Sequence, residues 1–118
     1  MYDAGFEYTL DSQDGTADCA VVLLHGSGRD ENDLLAFGRS VFPSAALYGL
    51  RGAIPWENGF AFFRRTPDRR LDVDDLKAQA AQLCTFVDFV IQQTGQRPFA
   101  IGYSNGAIIA AEMLCQDH

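Results

Sequence analysis

The chain has 118 residues, 47% of them apolar and 12% aromatic, and a net charge of −7 at neutral pH. This length predicts one domain, and the apolar fraction excludes a disordered chain. The acidic excess would repel nucleic-acid phosphates and anionic lipid, so neither is expected as a partner. Because the sequence shows neither a secretory leader nor a membrane-spanning run, we expect a cytoplasmic protein with no integral membrane association.

Three cysteines, Cys19, Cys84 and Cys115, lie in or beside apolar segments without C-x-x-C spacing. Free cysteines in such places behave as small apolar side chains, and an odd number does not favour a disulfide framework. We therefore expect a reducing compartment and no metal site.

The first predicted elements are strands. Residues 6–10 alternate as in a short strand, and the turn-rich residues 11–18 follow. Residues 19–26 form a continuous apolar run closed by glycine, which is typical of a strand buried on both faces of a parallel sheet. A second buried strand is predicted at residues 45–50.

Between these two strands, residues 29–43 predict a helix. Asp30 would cap its first turn, and Pro43 would end it. Three apolar side chains would share one face of this helix: Leu34, Phe37 and Val41.

Residues 51–71 show no regular period, and a loop of such length inside a compact domain is usually functional. Residues 72–95 give the clearest helix, which Asp72 would cap and Gly95 would end. Its apolar side chains recur at helical spacing: Leu76, Ala80, Leu83, Val87 and Ile91.

Residues 98–103 predict a third buried strand, and residues 105–116 predict a strongly apolar helix. Strands that alternate with helices in this way form a mostly parallel sheet through right-handed crossovers. The predicted class is α/β, with three α/β/α layers.

Residues 102–106, GYSNG, match G-x-S-x-G at the junction of a predicted strand and a predicted helix. A sharp turn there would strain the backbone of Ser104 and lift its hydroxyl above the sheet, while the glycines let neighbouring backbone pass. The following helix would point free N–H groups at an oxyanion. Ser104 is therefore a candidate nucleophile; the alternative is an ordinary N-cap serine.

Residues 23–28, LLHGSG, would supply a second oxyanion donor. Gly26 and Gly28 keep the backbone near the sheet ends, so the backbone N–H of Ser27 can face the nucleophile. The alternative is a glycine-rich turn that only starts a helix. No phosphate-binding glycine pattern is present, so we expect no nucleotide cofactor.

The segments LLHGSGRDENDLL, GLRGAIPWENGFAFFRR and IGYSNGAIIAA, in this order, resemble the phospholipase/carboxylesterase family of the α/β-hydrolase fold, which includes acyl-protein thioesterases. The resemblance runs from about Ala20 onwards. It implies a small-molecule ester or thioester substrate, with no cofactor, and Ser104 as the nucleophile. It also implies that the backbone N–H groups of Ser27 and Asn105 form the oxyanion hole.

By the same resemblance, residues 51–65 border an acyl pocket. Their aromatic side chains would form an apolar wall for an acyl chain or would pack the loop onto the sheet, and both readings stay open. The candidate substrate-binding residues are Trp56, Phe60 and Phe63, with Phe62 beside them.

In this family the triad aspartate and histidine follow the serine, yet only twelve residues follow Gly106. We therefore expect residues 1–118 to be the N-terminal part of a single α/β-hydrolase domain, truncated after the helix behind Ser104, and inactive or very weak alone. His25 is expected to pack or hydrogen-bond in the core rather than serve as base. The terminal Asp117 and His118 are no better candidates.

The strand at residues 98–103 would be left at an open sheet edge, so we expect self-association through it. Two other functions remain open. One is a non-catalytic α/β-hydrolase-like module used for binding or assembly. The other is a lactone hydrolase of the dienelactone type, although such enzymes usually carry cysteine at the position of Ser104.

Overall fold

The computed structural model describes residues 1–12 and 17–116, which form a five-stranded sheet, a separate hairpin and three helices. The elements are β1 (Tyr2–Asp3), β2 (Phe6–Asp11), β3 (Ala20–Leu24), α1 (Leu35–Val41), β4 (Ala46–Leu50), β5 (Ile54–Trp56), β6 (Gly59–Ala61), α2 (Val73–Thr94), β7 (Phe99–Gly102) and α3 (Asn105–Gln116). None of the described helices combines the length and the apolar character that crossing a bilayer requires.

The main sheet is mixed, with strand order β1-β2-β4-β3-β7. β3 lies parallel to β4 and to β7, whereas β2 lies antiparallel to β4 and to β1. Parallel neighbours need a long crossover, and no helix separates β2 from β3 among the described residues, so β2 pairs with β4 instead. The predicted α/β class is confirmed, but the sheet predicted as mostly parallel has two parallel and two antiparallel pairs of strands among the described residues.

β3 is buried along its whole length because helices cover both of its faces. Val22 and Leu24 belong to the larger core, which α2 and α3 cover. Val21 and Leu23 belong to the smaller core on the α1 side. Full burial stabilises each such side chain by about 1.5–3 kcal/mol, so this strand anchors the sheet.

The helix predicted over residues 29–43 is shorter, because α1 begins only at Leu35. Asp30 does not cap it, so that prediction was wrong. Its Oδ1 instead accepts a hydrogen bond from the backbone N–H of Asn32 at 2.9 Å. This local turn competes with helix formation, as short acidic side chains commonly do.

The packing face predicted for this helix was wrong for two of its three side chains, since only Leu34 packs against the smaller core. Phe37 and Val41 are each about half exposed. The buried residue of α1 is Gly38, where a Cβ would lie 3.1 Å from Cδ2 of Leu23. The helix thus approaches the sheet through its smallest residue, with Leu35 packed against the smaller core, whereas Phe37 and Val41 lie outward.

The segment at residues 51–71 contains the β5–β6 hairpin, in which Trp56 lies opposite Gly59. Glu57, in the turn, has a φ of +53°. Strands of three residues are too short to show an alternating pattern, which explains why the sequence predicted a plain loop here.

The long helix agrees with its prediction at both ends. α2 begins after Asp72, whose side chain accepts a hydrogen bond from the backbone N–H of Asp75 at 3.1 Å. It ends at Gly95, which has a φ of +73°. The turn predicted at residues 11–18 falls partly on residues 13–16, which lie outside the described residues, as do residues 117–118.

Candidate active site

Ser104 lies on the sharp turn between β7 and α3 and has a φ of +53°. A left-handed conformation costs a non-glycine residue about 1–3 kcal/mol, so the surrounding fold must impose it. The backbone N–H of Gly106 donates to the carbonyl of Tyr103 at 3.0 Å, and that of Ile108 donates to the carbonyl of Ser104 at 3.0 Å. The side chain of Ser104 is exposed on this strained turn.

The two glycines around Ser104 allow backbone segments to touch. A Cβ on Gly106 would lie 1.9 Å from the carbonyl oxygen of Leu24, at the end of β3. A Cβ on Gly102 would lie 2.7 Å from the carbonyl oxygen of Gly106. No larger residue fits at either position, so the G-x-S-x-G pattern here reflects close packing of β3, β7 and α3.

The loop after β3 passes beside Ser104. A Cβ on Gly26 would lie 3.6 Å from the Cβ of Ser104. Within the described part of the chain, the backbone N–H groups of Ser27 and Asn105 have no hydrogen-bond acceptor, as expected for a loop and for the first turn of a helix. The fold therefore brings the predicted nucleophile and both predicted donors into one cluster.

His25 lies in the same region, but both of its ring nitrogens already have hydrogen-bond partners in the core. It is 1% exposed, its Nδ1 lies 2.7 Å from the carbonyl oxygen of Gly26, and its Nε2 accepts from the backbone N–H of Gly52 at 2.9 Å. Nδ1 therefore carries the proton. The ring packs on Phe62, with 4.7 Å between centroids. The expectation that His25 packs and hydrogen-bonds is confirmed, and it has no free nitrogen for a proton from Ser104.

Acid is expected to destabilise the protein through His25. Burial lowers its pKa, and the N–H of Gly52 favours the same neutral ring. The folded state then binds fewer protons than the unfolded chain, so the free energy of unfolding should fall as pH drops from about 7 to about 5. The hydrogen bond to Arg51 lowers the pKa of Glu31, so the stability lost when Glu31 becomes protonated is lost at lower pH.

Urea unfolding measured between about pH 5 and pH 7.5 checks this dependence. The His25→Gln variant, whose side chain does not titrate, should show a flatter profile in the same range. A wild-type stability that stays constant or rises on acidification would contradict the assignment of His25 as a buried neutral ring.

The sequence analysis did not predict the role that the side chain of Asn105 plays. It is 3% exposed, and its Oδ1 accepts a hydrogen bond from the backbone N–H of Phe62 at 2.8 Å. The available signal was a polar residue, Asn105, at the start of an otherwise apolar segment.

The predicted substrate-binding residues lie in different environments. Trp56 is about half exposed on β5, and Phe60 is partly buried with its ring 4.6 Å below the guanidinium carbon of Arg51. Phe62 and Phe63 are buried in the larger core. The aromatic segment thus divides into two side chains with accessible surface and two that pack the hairpin onto the sheet.

A second interaction that the sequence did not reveal holds the base of the hairpin. Arg51 and Glu31 form two parallel hydrogen bonds, Nε to Oε1 at 2.9 Å and Nη2 to Oε2 at 2.7 Å. This paired geometry is the strong form of an ion pair. It ties the segment before α1 to the segment after β4, on the side of the sheet where the strands β3 and β4 end.

Comparison with known proteins gives relatives that match this chain over most of its length. No protein-family model matches it. It is 43% identical over 104 residues to MhqD of Bacillus subtilis, a hydrolase by name; the alignment covers 85% of this chain and 52% of MhqD. The crystal structure of a carboxylesterase from Mesorhizobium loti matches with a TM-score of 0.88 and 32% identity, over 97% of this chain and 56% of that one.

The Bacillus cereus carboxylesterase matches with a TM-score of 0.84 and 32% identity, over 95% of this chain and 54% of that one. The chain thus spans little more than half the length of each of these relatives. The resemblance to carboxylesterases of the α/β-hydrolase fold, drawn from three sequence motifs, is thereby confirmed.

Proposed function

We propose that the protein is a serine hydrolase that cleaves carboxylic esters or thioesters through an acyl-enzyme on Ser104. One observation carries the proposal: Ser104 is exposed on a strained turn, beside the backbone N–H groups of Ser27 and Asn105, which have no hydrogen-bond acceptor among the described residues. The relatives described as carboxylesterases support an ester as the substrate class.

In the proposed reaction, Oγ of Ser104 attacks the carbonyl carbon of the substrate while a base takes its proton. The negative charge on the former carbonyl oxygen is met by the backbone N–H groups of Ser27 and Asn105. Losing one such donor typically costs about 2.7–4 kcal/mol of transition-state stabilisation. The alcohol or thiol leaves with the proton, and water then hydrolyses the acyl-enzyme.

The base must come from elsewhere, because His25 is the only histidine among the described residues and both of its nitrogens are occupied. We place the triad histidine and aspartate outside residues 1–118, in a whole protein of which these residues form the N-terminal part of one three-layer domain. Without a base, a preorganised serine site retains only about 10³–10⁴-fold catalysis over water. Residues 1–118 alone would therefore be a very weak esterase.

The acyl group would lie against the outer side of the hairpin. Trp56 and Phe60 keep ring surface that a ligand can reach, so we assign the substrate contact to them. Phe63 would act indirectly, since its buried ring packs the hairpin from below.

We also propose that residues 1–118 self-associate through the edge of the sheet formed by β7. Among the described residues β7 pairs only with β3, and Phe99 is 58% exposed. Beside it a groove of about 480 Å³ lies between β7 and α3, next to Leu114, which is 77% exposed. Unpaired strand edges with apolar side chains promote association, so residues 1–118 produced alone should self-associate through β7.

Size-exclusion chromatography with light scattering checks this association. The expected mass exceeds the 13.0 kDa of one chain. Phe99→Lys should shift the protein toward the monomer, whereas Tyr2→Lys, at the opposite edge of the sheet, should not. A wild-type monomer that unfolds in a single two-state transition would contradict self-association.

Labelling with a fluorophosphonate probe tests the proposed hydrolase activity. In the whole protein the probe should modify one serine, and peptide mass spectrometry should place the label on Ser104. Absence of labelling in a folded whole protein would contradict the proposal and favour the non-catalytic module used for binding or assembly.

A further inference from the structure

The backbone of residues 60–62 contacts both segments that surround Ser104. The carbonyl of Phe60 accepts a hydrogen bond from the N–H of Gly28 at 2.9 Å, and the N–H of Phe60 donates to the carbonyl of Arg29 at 2.9 Å. Two residues further on, Phe62 donates to the side chain of Asn105. This short segment therefore connects the loop after β3 to the first residue of α3.

The connection is tight at each end. A Cβ on Gly59 would lie 2.4 Å from the carbonyl oxygen of Gly28, so the hairpin and the loop are in backbone contact. At the other end Asn105 and Phe62 are both buried. An unpaired buried amide is costly, so neither group can leave the other without loss of stability. The segment cannot shift relative to one partner without disturbing the other.

We propose that Asn105 is a positioning residue. Its side chain, through residues 60–62, holds the backbone N–H groups of Asn105 and Ser27 at a fixed separation around the reacting oxygen. The inference rests on the proposed function, because these two N–H groups are the donors proposed there. A single oxyanion must meet both donors at once. The two donors lie on different segments, and this connection joins those segments in addition to their direct packing.

Two variants of Asn105 separate positioning from simple stability. Asn105→Leu has a similar size but no acceptor, whereas Asn105→Gln keeps the carboxamide. Because a misplacement of about 1 Å can cost about 10²-fold in rate, the limiting rate of Ser104 phosphonylation should fall by about 10- to 100-fold in the leucine variant. The probe concentration giving half that rate should change much less, and the glutamine variant should recover part of the rate.

The control is Val90→Ala, which removes core packing in α2 away from both loops. It should lower stability yet react at the wild-type rate. A folded Asn105→Leu protein that also reacts at the wild-type rate would overturn the inference.

A second measurement does not depend on the reaction. Hydrogen exchange at the backbone amide of Gly28, which donates to Phe60, reports whether the loop loosens when Asn105 is changed. Exchange there should be faster in Asn105→Leu than in Val90→Ala of matched stability. Equal exchange would overturn the inference even if Ser104 reacts. Faster exchange in a protein whose wild type is not labelled would support the connection and refute only the proposed function.

Discussion

Replacing Ser104 by alanine is expected to abolish fluorophosphonate labelling and to lower kcat/KM for a carboxylic ester by about 10⁴- to 10⁶-fold in the whole protein. The nucleophile is then absent, and only substrate binding and the proposed N–H donors remain. Alanine at this position keeps the left-handed backbone strain, so the free energy of unfolding should change little. Steady-state hydrolysis of a nitrophenyl ester measures the activity, and urea unfolding measures the stability.

Ser40→Ala is the matched control, because Ser40 is an exposed serine on α1, remote from the turn. This variant should keep wild-type labelling and hydrolysis. A tenfold loss of activity corresponds to about 1.4 kcal/mol in the activation barrier. If Ser104→Ala lost less than that, another residue would have to carry the reaction.

The largest effect on stability is expected from Gly106→Ala. The added Cβ would lie 1.9 Å from the carbonyl oxygen of Leu24 and 2.7 Å from that of His25, so α3 would have to move away from β3. Both neighbours are backbone atoms that cannot rotate aside. We expect a loss of about 4 kcal/mol or more, which is comparable to the whole stability of many domains. Circular dichroism and urea unfolding measure it.

Gly95→Ala provides the comparison for that variant. Gly95 has a φ of +73° but no atom within 4 Å of an added Cβ, so the substitution introduces backbone strain without a clash. Its cost should be about 1–2 kcal/mol. Similar stabilities for the two variants would mean that α3 does not start in contact with β3.

The parts of the fold that could be predicted are the elements whose bounds are set by residues close together in the sequence. α2 has its cap at Asp72, its left-handed end at Gly95 and a regular apolar stripe between them. The short α1 lacks such a signal. Its position depends on contact between Gly38 and the side chain of Leu23, which lies on another strand, and no periodicity within residues 29–43 contains that information.

The candidate site divides in the same way. The strained serine and its flanking glycines form one short pattern, so the turn at Ser104 could be predicted. The hydrogen bond between Asn105 and Phe62 and the ion pair between Arg51 and Glu31 join segments far apart in sequence. Such partners are chosen by tertiary structure, and a single sequence does not specify them.

The parallel pairing of β3 with β7 has a consequence for how the site forms during synthesis. Residue 21 pairs with residue 99, with α1, β4, the hairpin and α2 between them. Contacts between such distant residues form late, because a long loop must close first. A ribosome-bound chain that ends before α3 therefore contains the loop after β3 but not yet the turn at Ser104. The reactivity proposed for Ser104 would then be acquired only in a late step of folding, when the last described helix docks on the sheet.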